Sequence, residues 1–189
     1  MKKRQIAAVL AGILAMSLTV PALAADETEG EEVKLLIAAA ASLEYSMEEK
    51  LIPLFEEQNP GVKVEGSYDS SGKLQTQIEE GMEADLFFSA ATKQMDALTE
   101  EGYIKEGSEK KLLENKIVAI VPKDSDLEIN SFEDLVKADT IALGDPASVP
   151  AGQYAQEALT SLDLWDAVSA KASFGTNVTE VLNWVAEGS

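Results

Sequence analysis

Four short stretches of this chain set hydroxyl-bearing or small residues at the start of a helical pattern. They are AAAASL (residues 38–43), DSSGKL (69–74), VPAGQY (149–154) and GTNVTE (175–180). A helix start has N–H groups without intrahelical partners and carries about half a positive charge, so it attracts anions. Gly72, Ala151 and Gly152 let the backbone come close to a ligand with no bulky side chain in the way. Taken singly, each stretch reads as ordinary capping: Ser42, Ser71 and Asn177 suit an N-cap, and Pro150 suits a first helical turn. Four together at β-to-α junctions are less ordinary, because open α/β sheets bind ligands beyond the carboxyl ends of their strands. The chemistry they suit is the grip of an oxyanion by hydroxyls and amides.

The string Ser71-Gly72-Lys73 also invites comparison with a nucleotide-binding loop. That loop needs G-x-x-x-x-G-K-[ST], with a hydroxyl for magnesium. Here Gly66 lies one residue too far back, and Leu74 stands where the hydroxyl is required. Lys73 is expected to face solvent.

Absences narrow the chemistry further. The chain has no Cys and no His, and Arg4 is its single arginine. There is no thiol nucleophile, imidazole base, His or Cys metal ligand, or second guanidinium. A secreted hydrolase, the rival from another class, would have to use Lys or a carboxylate as base. Neutral donors suit a fully ionised dianion. A phosphate site would also need an acceptor for the remaining proton, and no candidate carboxylate is read within the four junctions. Asp85 reads as a strand-start residue near a cleft rather than an acid catalyst. Trp165 and Trp184 read as packing residues, and Glu79, Glu80 and Glu83 as a solvated helix end.

The elements that must position the junctions follow one grammar from Val33 onward: a short apolar or alternating run, then a helical pattern. Strands are expected at VKLLIAAAA, VKVEGSY, ADLFFSA, TIALG and KASFG, with helices between them. Gly81 and Gly102 are expected to close helices, and Pro53 to kink one. NKIVAIVPKDS (115–125) reads as a longer strand, with 116–121 crossing between two lobes. Strands alternating with helices imply parallel βαβ units and an α/β fold. The expected divisions are lobe I at 33–115 and lobe II at 116–189.

Ahead of them, MKKRQIAAVLAGILAMSLTVPALA (1–24) reads as an export signal, with a basic start, an apolar run and a small-x-small end. The segment 25–32 reads as an acidic linker. Removing the three basic residues of the signal leaves 12 basic against 34 acidic residues, a formal charge of −22. Such a field repels nucleic acid and anionic lipid surfaces.

AAAASL, SSGKLQTQIEEGMEADLFFSA and above all LGDPASVPAGQYAQEAL resemble the periplasmic molybdate-binding proteins of ABC importers, in consistent order from about Val33 to Ser189. The resemblance implies the two-lobed type II binding-protein fold, incomplete here at the C-terminus, closing on molybdate or tungstate. It implies a non-enzymatic, monomeric receptor outside the cytoplasmic membrane, periplasmic or extracellular, that delivers to an ABC permease and needs no cofactor or metal cation. Sulfate or another oxyanion is the alternative ligand. Carried over by motif, Ser42 and Ser71 give hydroxyl donors from the first lobe, and Ala151 and Val178 give backbone N–H groups from the second. The family's fifth ligand is a tyrosine hydroxyl of a later strand, in a V-Y-x-x-D-A context. This chain ends at Ser189 before such a strand, so no tyrosine here is given that role, and weaker binding than in a full-length relative is expected.

Overall fold

The computed structural model describes residues 32–188. The expected signal (1–24) and all but the last residue of the acidic linker lie outside the described residues.

β1 (Val33–Ala40) is the central strand of a three-stranded parallel sheet, flanked by β2 (Val62–Asp69) and β3 (Leu86–Phe88) in the order β2-β1-β3. Registers run from Val33 opposite Val62 to Ala40 opposite Asp69, and from Ile37 opposite Leu86 to Ala39 opposite Phe88. Being central, β1 reads as an apolar run rather than an alternation, and Ile37 to Ala40 are buried. A second parallel sheet pairs β4 (Ile141–Gly144) with β5 (Ala172–Gly175). The two sheets stand on either side of the expected boundary at 115/116 in the chain, and the described residues, 32–188, fall within one compact unit.

Helices cross between the strands. After β1 the chain passes through a 3-10 turn (Ala41–Leu43), α1 (Glu44–Ser46), a π-helical turn (Met47–Leu51) and α2 (Ile52–Gln58). Pro53, expected to kink this helix, sits in the first turn of α2, where its missing N–H breaks the hydrogen-bond ladder next to the π turn. α3 (Ser71–Glu79) and α4 (Thr92–Glu100) pack on the first sheet; Ala38, Leu74, Ile78 and Leu98 form its core. Gly81 and Gly102 follow them at φ of +106° and +83°, left-handed conformations that glycine adopts without strain. On the second sheet lie α5 (Pro150–Ser161), α6 (Trp165–Ser169) and α7 (Val178–Glu187). A Cβ on Gly152 would overlap the Gly144 carbonyl, so glycine is what lets α5 lie directly on β4.

The expected strand at 116–121 does not form. Strand pairing needs a neighbour to take its N–H and C=O groups, and no described strand pairs with this segment. Val118 and Ile120 are accordingly 70% and 49% exposed. A 3-10 turn, Glu133–Lys137, precedes β4.

Candidate functional site

Parallel strands end together, so the residues after β1, β2, β4 and β5 converge. Ser42, Ser71, Ala151 and Val178 all line one cavity of about 170 Å³. That is smaller than the roughly 300–1,000 Å³ of pockets for drug-sized ligands, and suits one small solute. Each residue arrives by a different local device.

Ser71 is the first residue of α3 and is fully buried. Its Oγ accepts the Ala90 N–H at 2.9 Å. With that lone pair engaged by the protein, the hydroxyl proton remains to be donated. The N-cap expected at Ser71 falls instead on Ser70, whose Oγ accepts the Lys73 N–H at 3.4 Å. Both serines can cap by type, and a one-residue offset in the helix start decides which one does. Ser42 is also no N-cap: it lies inside the 3-10 turn that follows Ala40, and it is exposed.

On the opposite wall Pro150 opens α5, as expected, and has no N–H of its own. Ala151 is then the first residue of that helix with a donor, and the intrahelical ladder begins only with Gln153 N–H to the Val149 carbonyl at 3.0 Å. Val178 opens α7, capped as expected by Asn177, whose Oδ1 accepts the Glu180 N–H at 3.0 Å. Glu180 reaches back to the Thr176 N–H and hydroxyl at 2.6 and 3.0 Å. Thr179 Oγ1 donates to the Ala41 carbonyl at 3.4 Å, so the start of α7 touches the turn that carries Ser42.

Other lining residues were not nominated by sequence. Asn115, Lys116 and Ile117 come from the segment expected to be a strand, and Asn115 Nδ2 donates to the Ala90 carbonyl. Lys116 is the one cationic side chain of the lining. Tyr154 also lines the cavity; it lies three residues beyond Ala151, and helical spacing alone puts i and i+3 on one face. Asp69 corrects the reading that no junction offers a carboxylate, since it too is in the lining. Its Oδ1 is already held by the Ser70 N–H at 2.7 Å and by Lys73 at 3.3 Å. Lys73 therefore does not face solvent freely; it neutralises Asp69.

The remaining polar candidates lie elsewhere. Asp85 sits at the amino end of β3, away from the cavity rather than near it, and its Oδ2 accepts the Leu36 N–H at 2.8 Å. Trp165 packs against Phe174, ring centroids 6.3 Å apart. Trp184 lines a separate, open groove with Glu44, Tyr68 and Glu180. Tyr68 donates to Glu48 Oε1 at 2.8 Å; burial foremost, then that bond, pushes its phenol well above the ordinary range. Among the described residues no cluster of Asp and Glu could hold a metal ion.

A Bacillus subtilis (strain 168) protein, provisionally named an ABC transporter substrate-binding lipoprotein, is 42% identical over 84% of this chain and 60% of its own length. The molybdate-binding protein ModA of Haemophilus influenzae is 38% identical over 79% of this chain and 60% of its own. The solved periplasmic molybdate-binding protein of Azotobacter vinelandii superposes with a TM-score of 0.65 at 26% identity, covering 82% of this chain and 67% of that one. The chain thus spans about 60% of the length of the curated relatives it matches. The family model of bacterial extracellular solute-binding proteins matches residues 35–189, and the chain belongs to that family, one of binding proteins and not of enzymes.

Proposed function

We propose that this chain captures a tetrahedral oxyanion, molybdate or tungstate, for delivery to the membrane subunits of an ABC importer. The observation that carries the reading is the convergence of Ser42, Ser71, Ala151 and Val178 on one small cavity. Hydroxyls and helix-start amides donate, and the positive ends of α3, α5 and α7 supply partial charge without a guanidinium. A dianion that carries no proton needs donors only. Asp69, the one carboxylate of the lining, has one oxygen occupied by Ser70 and Lys73, which reduces its value as an acceptor for a protonated anion such as hydrogen phosphate. The names of the relatives point to the same ligand class.

Calorimetric titration with molybdate, tungstate, sulfate and phosphate tests the reading. Saturable heats with molybdate and tungstate, and much weaker heats with phosphate, are expected. Phosphate binding as tight as molybdate would overturn it.

A further inference from the structure

The two walls of the cavity meet at a backbone contact that the ligand reading does not use. Gly72, the second residue of α3, donates its N–H to the Ser148 carbonyl at 3.0 Å. An amide in the first turn of a helix has no intrahelical acceptor, so this bond runs from the first-sheet wall to the second. The approach is too close for any side chain. A Cβ on residue 72 would lie 2.6 Å from the Ser148 carbonyl oxygen and 2.8 Å from its Cα. Gly72 is not among the glycines of positive φ, so space rather than conformation demands glycine here. A second contact closes the same seam: Gln94 of α4 donates Nε2 to Gln153 Oε1 of α5 at 3.4 Å. Both side chains are buried, and Gln94 Oε1 and Gln153 Nε2 have no partner.

Ser71 immediately precedes Gly72, and Ala151 follows Ser148 by three residues. The distance across the 72–148 contact therefore governs the distance between the Ser71 hydroxyl and the Ala151 amide. We propose that Gly72 is a positioning residue that sets the width of the cavity and so selects among tetrahedral dianions by size. This rests on the oxyanion reading above. An alanine Cβ would need about 0.8 Å more room to reach ordinary contact. N–H···O bonds are strongest from about 2.7 to 3.2 Å and weaken beyond, so donors on two separated walls lose the smaller sulfate before the larger molybdate.

The test has two arms. In the first, amide hydrogen exchange of the ligand-free protein is read at residue 72 by NMR. The Gly72 amide is protected through Ser148 alone, and Gly72→Ala abolishes that protection while Leu74, bonded to the Ser70 carbonyl, keeps its own. In the second arm molybdate and sulfate are titrated into both proteins. Molybdate affinity falls several-fold, up to about tenfold, as its contacts to the two separated walls lengthen, and sulfate affinity falls further. The lost bond and the forced separation outweigh alanine's better helix propensity in a first turn, so the melting temperature without ligand falls. A fast-exchanging Gly72 amide in the wild type overturns the proposal even if the variant does not fold, and so does an unchanged ratio of the two affinities. A wild type that bound neither anion would sink the oxyanion reading and the size selection with it, leaving the seam itself to be judged by the amide.

Discussion

At Ser71 one oxygen serves two partners: it accepts the Ala90 N–H and leaves its proton for the cavity. Ser42 is exposed beside the same cavity. Replacing either by alanine should weaken molybdate binding roughly 10- to 150-fold, the equivalent of about 1.5–3 kcal/mol for a hydrogen bond to a charged group. The two variants should part company in stability. Ser71→Ala also strands a part-buried N–H, at a cost of about 1–3 kcal/mol, whereas Ser42→Ala should melt like the wild type. Ser70 gives a contrast of the opposite kind, since its Oγ caps α3; Ser70→Ala should cost about 1 kcal/mol of stability. Titration and thermal melting on the three variants separate these roles, and full affinity in both Ser42→Ala and Ser71→Ala would remove those serines from the site. The small and hydroxyl residues at the helix starts were legible because donor chemistry is written in residue type. Tyr154 and Lys116 were not, because whether a side chain meets a cavity depends on which helix face or loop is turned toward it.

Among the elements, strands and helices whose patterns are local were readable, and β1 to β5 fall where alternation or apolar runs put them. The segment 116–121 has the composition of a strand but no partner among the described strands, and composition cannot supply one. α6 was missed because five residues give too little periodicity to see. The link between α2 and β2 shows how a polar residue can fix an element and give it a pH dependence. Glu56 accepts the Val64 N–H at 2.9 Å and the Lys63 ammonium at 3.0 Å. The Val64 bond first, then Lys63, holds its carboxyl below the ordinary value of 4.5. A lowered folded-state pKa means that the contribution is present above about pH 4.5 and is lost as pH falls through the folded value. Glu56→Gln should therefore melt lower than the wild type at pH 7 and lose less melting temperature between pH 7 and pH 3. Parallel melting curves across that range would show that Glu56 plays no part in acid lability. Between β4 and α5 the contact is steric: Gly152→Ala should destabilise by about 1–3 kcal/mol, read by denaturant unfolding, because its Cβ has no space above Gly144.

For the whole molecule, the formal charge of −19 opposes the arrival of any anion, although the cavity itself is built from donors. Repulsion over distance is screened by salt, while contacts inside the cavity are screened much less. The association rate for molybdate should accordingly rise between about 0.01 and 0.15 M ionic strength, as stopped-flow measurement would show. A falling rate would mean that a local positive field, with Lys116 its source, governs capture. The most direct test of the central reading locates the ligand atom itself. A crystal of the protein grown with tungstate, measured at a tungsten absorption edge, should show a single strong anomalous peak inside this cavity, with the oxygens around it within hydrogen-bonding distance of Ser42, Ser71, Ala151 and Val178. A peak elsewhere, or none in a crystal holding saturating tungstate, would contradict the assignment of this cavity to an oxyanion.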